Sequence, residues 1–199
     1  MNARPQALVS RYTVADYLTW PDDERWELID GIAYGMAPAP VVRHQGITGE
    51  FFGYLREKLK GKTCRPFIAP VDVVLSESNV VQPDVFVVCD PAKITDKNIQ
   101  GAPDLVVEVL SPATATRDLR EKKALYMRAG VLEYLIVDPL ELYVQRFRLD
   151  ENGHYGAGDI FAPREELPLV SLDGCVVPLW EIFELPPPGE DGGEAGGTP

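Results

Sequence analysis

The chain contains few of the residues that build zinc sites. Its 199 residues include three cysteines and two histidines. Cys64, Cys89 and Cys175 lie far apart in the sequence, and none belongs to a Cys-x-x-Cys pair, which argues against a zinc centre. An odd number of separated cysteines also favours reduced thiols. We therefore expect free thiols in a cytoplasmic protein.

Long apolar segments are absent from the sequence as well. No hydrophobic run approaches the length of a membrane helix, about 18 residues. The first residues, MNARPQALVSRYTV, lack the apolar core of a signal peptide. We therefore expect no contact with a membrane.

The composition is that of a globular protein with one domain. Hydrophobic residues make up 45% of the chain and charged residues 25%, which are ordinary values. A chain of this length has one domain by default, and we place it at residues 1–185. Residues 186–199 are rich in proline, glycine and acidic residues, so we expect a disordered tail.

Basic residues are outnumbered by acidic ones, 19 to 31, and the net charge is -12. Taken alone, this balance argues against a protein that binds nucleic acid. Two runs depart from it. Residues 56–65 hold five basic side chains and one acid, and residues 117–128 hold five basic and two acids. Each run is either a solvated helix face, which is the commoner case, or a positive patch on an acidic body.

The segment from Val80 to Pro139 organises the predicted fold. The apolar runs VVQPDVFVV, APDLVVEVLSP and LEYLIVDP predict three buried strands. Between the last two, TRDLREKKALYMRAG has the spacing of an amphipathic helix.

The flanking segments predict further strands and helices. ELIDG predicts a hairpin that turns at Asp30-Gly31, and residues 44–60 carry the apolar stripe of a helix. After Pro139, residues 141–149 alternate as an antiparallel strand does, and residues 155–161 and 168–177 add short strands. We predict an α/β (α+β) fold, with a mixed β-sheet flanked by helices and an extra C-terminal antiparallel hairpin.

Three charged residues interrupt this core where apolar side chains are expected. Asp84 directly precedes VFVV, Glu108 lies within DLVVEVL, and Lys122 lies near the apolar face of the helix. Burying such charges is costly unless a cation binds among them. Carboxylate oxygens are the ligands that Mg²⁺ prefers. If their strands are neighbours, Asp84 and Glu108 can share one ion, whereas Asp104 lies about 13 Å from Glu108 along the strand and cannot.

The helical phase decides where Lys122 points. At about 100° per residue, one face of the helix carries apolar side chains, namely Leu119, Leu125, Tyr126 and Ala129. Lys122 falls on the same face, towards the sheet, and Lys123 falls nearer the rim. The alternative is that Lys122 pairs with Asp118 one turn earlier or extends to the rim.

These segments together resemble a known family. Pro83-Asp84, followed by Glu108 on a strand and then a lysine, resembles the PD-(D/E)xK restriction-endonuclease-like superfamily. ELIDG, HQGIT, VQPDVFVV, PDLVVEVLSPAT and RDLREKKALYMRAGVLEYLIVDP are similar to segments of its Uma-two family, across residues 12–185. The resemblance implies a restriction-endonuclease-like fold and cleavage of DNA phosphodiester bonds that depends on Mg²⁺, with Mn²⁺ as an alternative ion.

The resemblance also implies roles for the charged residues. Asp84 and Glu108 would hold the metal, with the backbone carbonyl of Val109 as a further ligand. The superfamily's lysine usually lies two residues after the acid, where this chain has Leu110. Lys122 matches a lysine on the following helix instead, and it would position the attacking water or stabilise charge in the transition state.

Three further polar residues are candidates for accessory roles. Glu27, in ELIDG, either reaches the metal through water or is an ordinary charge at the edge of a hairpin. His44 either contacts phosphate or caps the start of its helix. Gln82 directly precedes Pro83-Asp84 and would orient Asp84.

The sequence leaves more than one function open. A metal-dependent DNA endonuclease is favoured because Asp84, Glu108 and Lys122 are all retained. Leu110 and the net charge of -12 favour an inactive nuclease-like module that binds nucleic acid or protein. A different Mg²⁺ phosphohydrolase is a weaker third hypothesis. Because a symmetric dimer would set two sites against two strands, we also expect a homodimer, with its interface outside the catalytic sheet.

Overall fold

The computed structural model describes residues 11–21, 23–36 and 41–189. Residues 190–199 of the predicted tail lie outside this range. The described helices are α1 (Val14–Tyr17), α2 (Val42–Lys58), α3 (Ala115–Arg117), α4 (Lys123–Ala129) and α5 (Leu179–Ile182). None of these described helices is long and apolar enough to cross a bilayer.

Thirteen strands are described between Trp26 and Pro178. They are β1 (Trp26–Ile29), β2 (Ile32–Gly35), β3 (Arg65–Ile68), β4 (Val73–Ser76), β5 (Asn79–Val81), β6 (Val85–Val88), β7 (Ile99–Gln100), β8 (Leu105–Val109), β9 (Glu133–Asp138), β10 (Tyr143–Arg148), β11 (Asp159–Phe161), β12 (Glu166–Leu169) and β13 (Cys175–Pro178).

A mixed sheet of six strands, in the order β11-β10-β9-β8-β6-β3, carries the core. Strands β8 and β9 run parallel, and the other neighbouring pairs run antiparallel. The three apolar runs predicted from the sequence form β6, β8 and β9, and these three lie side by side. Strands β10 and β11 extend the same sheet, whereas β12 and β13 form a separate antiparallel hairpin near the C-terminus.

A second sheet, in the order β2-β1-β5-β4-β7, packs beside the first. Its β1–β2 hairpin turns at Asp30-Gly31, as predicted, with both residues at positive φ. The apolar segment on both sides of Pro70 is broken there, so that β3 joins one sheet and β4 the other. The sequence indicated the interruption but not the division into two sheets.

Each face of the six-stranded sheet has its own core. Side chains such as Val85 and Val107 pack with α2, α5 and the β12–β13 hairpin. On the opposite face, Phe86 and Val106 pack with α4 and the second sheet. Because side chains alternate along a strand, Asp84 and Glu108 share this second face with Phe86 and Val106.

The expectation of three free thiols is wrong. Cys64 and Cys89 form a disulfide, and only Cys175 is free, in a buried position. Strands β3 and β6 pair so that Arg65 faces Val88. Cys64 directly precedes Arg65 and Cys89 directly follows Val88. Antiparallel pairing therefore joins two cysteines that are 25 residues apart in the sequence.

The helical segment between β8 and β9 departs from a regular α-helix. Helix α3 continues into a π-helical turn, Asp118–Lys122, and then into α4. Leu119 was expected on the buried face, but it is 41% exposed. The wider π turn changes the phase of the residues before it relative to those after it. The phase count therefore holds for Leu125 and Tyr126, which are buried, and fails for Leu119.

Candidate active site

Adjacent strands bring Asp84 and Glu108 together. Strands β6 and β8 are paired with Val85 opposite Val107, so Asp84 lies across from Glu108, one residue further along. The Cβ atoms of directly opposite residues lie about 4.5–5.5 Å apart. The two carboxylate side chains therefore project from neighbouring strands on the same face of the sheet.

Each of the two acids is held by the protein through one oxygen. Oδ2 of Asp84 accepts the Val109 N–H at 2.8 Å and lies 3.3 Å from His44 Nε2. Oε1 of Glu108 accepts hydrogen bonds from Lys122 at 2.9 Å and from the Tyr126 hydroxyl at 2.7 Å. All of these contacts within the described chain use one oxygen of each carboxylate, which leaves Asp84 Oδ1 and Glu108 Oε2 for a ligand.

Lys122 reaches the acid pair from the helical segment. It is only 4% exposed, and its Nζ lies 2.8 Å from Glu27 Oε1 and 2.9 Å from Glu108 Oε1. Its distance to Asp118 Oδ1 is longer, 3.6 Å. Lys122 therefore faces the sheet, as predicted, and neither extends to the rim nor pairs with Asp118 alone. Leu110, at the usual lysine position, is buried in the core.

Burial and crowding of acids set the protonation of this cluster. Burial raises the pKa of Glu108 well above its ordinary value; Lys122 opposes this shift, while Asp118, Asp84 and Glu27 add to it. Burial alone would lower the pKa of Lys122, but Glu108, Glu27 and Asp118 together raise it well above its ordinary value. The lysine therefore stays protonated, and the acids around it compete for protons.

Asp118 adds a further buried carboxylate to the site. It lies at the start of the π-helical turn and is 1% exposed. Burial raises its pKa, against the opposing effect of Lys122. Its Oδ1 has no hydrogen-bond partner in the described part of the chain. The sequence indicated Asp118 only as an alternative partner for Lys122, although its i, i+4 spacing from that lysine was a usable signal.

Glu27 is a central member of the cluster rather than a charge at a hairpin edge. It is 2% exposed on β1. Its Oε1 accepts hydrogen bonds from Lys122 and from the Gln82 N–H, at 2.8 and 3.1 Å. Its Oε2 lies 3.5 Å from Arg117, whose guanidinium lies 4.4 Å above the Tyr34 ring. Arg117 is thus a second cation at the site that the sequence did not single out.

His44 contacts the acid pair from α2. The helix begins at Val42, with Val41 as its N-cap, so His44 does not cap it. Burial alone would lower the pKa of His44, but the hydrogen bond and the charge of Asp84, helped by the Val109 backbone, raise it. His44 is therefore in position to hold the carboxylate of Asp84.

Gln82 contributes through its backbone rather than its side chain. Its Nε2 donates to Asp72 Oδ1 at 2.8 Å, and its Oε1 accepts from Arg25 Nη2 at 2.6 Å. The expected orientation of Asp84 by this side chain is therefore not what the structure shows, because two charged neighbours occupy the amide. The Gln82 N–H positions Glu27 instead.

These groups line one cavity of about 550 Å³, which includes Glu27, His44, Asp84, Glu108, Arg117 and Lys122. Within the described ranges, no three His, Cys, Asp or Glu side chains form a ready metal cage. The donors still fit a hard cation that keeps water ligands. Four acids, Glu27, Asp84, Glu108 and Asp118, line the cavity with three permanent cations, Arg25, Arg117 and Lys122. The acid pair presents two oxygens that no described residue contacts.

Comparisons with known proteins agree with this fold. A family described as "Uma2: Putative restriction endonuclease" matches residues 14–179. The uncharacterized protein slr1290 of Synechocystis sp. is 28% identical over 181 residues, which cover 86% of this chain and 93% of that protein. The crystal structure of "a putative nuclease belonging to DUF820" from Anabaena variabilis has a TM-score of 0.72 at 19% identity, covering 86% of this chain and 97% of that one. Because the family match spans most of the described residues, the chain belongs to the Uma2 family.

Proposed function

We propose that this protein is a Mg²⁺-dependent endonuclease that hydrolyses the phosphodiester bonds of DNA. The observation that carries the proposal is Lys122, buried on the wall of the cavity with its Nζ 2.9 Å from Glu108, which lies opposite Asp84. The superfamily resemblance implies a lysine beside two acids. In this protein the lysine comes from the helical segment rather than from the strand. Membership of a family described as "Putative restriction endonuclease" supports the same reaction class.

Asp84 and Glu108 would hold the metal through their unused oxygens, with the Val109 carbonyl as a further ligand. Bound there, Mg²⁺ or Mn²⁺ would supply charge stabilisation at the phosphate and a water of lowered pKa. The protein orients each of the two acids through its own set of contacts. His44 and the Val109 N–H hold Asp84, and Tyr126 and Lys122 hold Glu108.

Lys122 acts as a fixed positive charge in this proposal. Against the effect of burial, the surrounding carboxylates raise its pKa, which favours the protonated ammonium at neutral pH. A protonated ammonium on the cavity wall stabilises the negative charge that develops on the phosphate oxygens. Glu27 and Glu108 fix its position from two sides.

A cleavage assay with several DNA substrates tests the proposal. Supercoiled, linear duplex and single-stranded DNA are incubated with Mg²⁺, with Mn²⁺ or with EDTA. We expect cleavage with either metal and none with EDTA. Glu108→Gln keeps the size and the Tyr126 contact but removes the charge, and it should lose about 100-fold or more of the rate. Asp104→Asn is the matched control, because Asp104 directly precedes the same strand, lies outside the cavity and accepts the Cys89 N–H.

The alternative, an inactive module, predicts a different result. The -12 charge and Leu110 favour it. In that case the wild type would bind DNA or a protein without cutting any substrate, and Glu108→Gln would bind as the wild type does. Cleavage that persists in EDTA would contradict both hypotheses.

A further inference from the structure

A second groove of about 530 Å³ lies beside the candidate active site, between the C-terminal end of α2 and β3. Its floor includes Phe52 and Leu59. Four cations line it, and we call this surface, defined by Arg56, Lys60, Lys62 and Arg65, the basic groove. No acidic side chain of the described residues lines it. On a chain with a net charge of -12, this is a local concentration of positive charge.

The cations of the basic groove are not neutralised by nearby acids. None of the four forms an ion pair with a described residue; Arg56 lies 5.9 Å from the centre of the Phe52 ring. All four residues are exposed. Four cations grouped in a groove without acids create a local positive potential, which attracts an anionic ligand.

The second basic run of the sequence, residues 117–128, has the opposite character. Lys122 is buried among carboxylates, Arg128 lies 2.8 Å from Asp30, and Lys123 lies 3.7 Å from the centre of the Phe147 ring. Most basic side chains of residues 117–128 therefore already contact acidic or aromatic groups of the protein. Of the two candidate patches, only residues 56–65 form an unneutralised surface.

Strand β3 connects the basic groove to the catalytic cavity. Ile68 lines both, and the next residue, Ala69, donates its N–H to the Asp84 carbonyl at 3.0 Å. From Arg65 to Ala69 the backbone extends about 13 Å at about 3.3 Å per residue. That length corresponds to about four nucleotide steps of one DNA strand, at about 3.4 Å each.

We propose that the basic groove binds the phosphodiester backbone of DNA and leads the strand into the catalytic cavity. The inference rests on the proposed function for the role of that cavity. Each lysine or arginine that meets a phosphate releases counterions, which stabilises the complex in a salt-dependent manner. The acidic remainder of the surface repels DNA, so binding is confined to this face.

Salt-dependent DNA binding tests the proposal. Anisotropy of a fluorescein-labelled duplex is measured in EDTA between about 50 and 200 mM salt. Lys60→Gln/Lys62→Gln should weaken binding and lower the magnitude of the slope of log K against log salt by about 1.8, which is about 0.9 for each lost contact. Lys97→Gln/Arg120→Gln removes the same charge from exposed positions outside the groove and should bind as the wild type does.

Two outcomes would contradict the proposal that the basic groove binds DNA. One is a groove variant with the affinity and the salt slope of the wild type. The other is a wild type that does not bind duplex DNA at about 50 mM salt. The cleavage assay is read separately. If DNA binding depends on the groove but no DNA is cleaved, the role of the groove is supported and the nuclease function is contradicted. If a groove variant binds and cleaves DNA as the wild type does, the nuclease function is supported and the role of the groove is contradicted.

Discussion

Lys122 is the residue on which the charge balance of the site depends. Three buried carboxylates, Glu27, Glu108 and Asp118, lie around its ammonium. Removing one partner of a buried ion cluster leaves the others without compensation, at a cost of about 3–5 kcal/mol. The same change removes the cation that we assign to the transition state.

The first prediction is that Lys122→Met destabilises the protein by about 3–5 kcal/mol at neutral pH and abolishes cleavage. Urea denaturation measures the stability. Lys123→Met is the matched control, because its ammonium contacts the Phe147 ring and such a contact contributes about 1 kcal/mol. Equal losses of stability in Lys122→Met and Lys123→Met would contradict the role of Lys122 in balancing the buried carboxylates.

The second prediction concerns Glu108 and pH. Its folded pKa is raised above the ordinary value of 4.5, so the folded state holds this proton more tightly than the unfolded state does. The resulting stabilisation is present below pH 4.5 and is lost as the pH rises through the folded pKa. Glutamine cannot ionise, so Glu108→Gln in EDTA should gain stability relative to the wild type from pH 4.5 to neutral. Urea denaturation at several pH values measures this, and a difference that shrinks with rising pH would contradict it.

The positions of Asp84, Glu108 and Lys122 could be predicted from the sequence, because they follow from the strand period and the helix period alone. Alternation along two adjacent strands places Asp84 opposite Glu108, and the helical phase turns Lys122 towards them. Glu27 and Asp118 could not be assigned in this way. Their burial depends on how the second sheet packs on the first, and a carboxylate near a lysine has the same sequence signature at an exposed position.

At the scale of elements, the end of α4 determines how β9 enters the sheet. Gly130 closes the helix with φ of 88°, in the left-handed region. A Cβ at this position would meet no neighbour within 4 Å, so only backbone strain opposes a side chain there. Gly53, within α2, is equally free of neighbours but has no positive φ.

The third prediction uses these two glycines as a matched pair. Gly130→Ala should destabilise the protein by about 1 kcal/mol, because alanine disfavours the left-handed conformation. Gly53→Ala should stabilise it by about 0.5–1 kcal/mol, because alanine favours a helix. Thermal unfolding of both variants measures the difference. If both substitutions changed the stability in the same direction, the assigned end of α4 at Gly130 would be contradicted.

The sequence was sufficient for most elements and insufficient for two features. Strands β6, β8 and β9 follow from apolar runs, and the β1–β2 hairpin follows from Asp30-Gly31. The π-helical turn could not be predicted, because Asp118–Lys122 has an ordinary helical composition. The Cys64–Cys89 disulfide was missed because strand pairing, rather than spacing, brings the two residues together.

At the scale of the whole molecule, one edge of the six-stranded sheet carries an exposed apolar residue. Strand β11 forms this edge, opposite the β3 edge, and its Ile160 is 67% exposed. Unpaired edges offer backbone groups to a second chain. The homodimer stays a prediction. Its contact was expected outside the sheet that carries Glu108, but β11 belongs to that sheet. We propose the contact at this edge.

The fourth prediction is a dimer with twice the chain mass of 22.0 kDa. Light scattering at micromolar concentration measures it. Ile160→Asp should return the mass to that of one chain without loss of the fold, since the residue is exposed. A wild-type mass of 22.0 kDa that does not change on concentration would rule the dimer out.

The central claim is that the acid pair holds a divalent cation, and calorimetric titration with Mg²⁺ and Mn²⁺ tests it most directly. We predict one site in the wild type, with an affinity that falls as the pH is lowered, because Glu108 must lose its proton to bind a metal. Asp84→Asn keeps an oxygen for the Val109 N–H but removes the charge, and it should bind at least about tenfold more weakly. A wild type that binds neither metal, or an Asp84→Asn variant that binds as tightly as the wild type, would contradict the account.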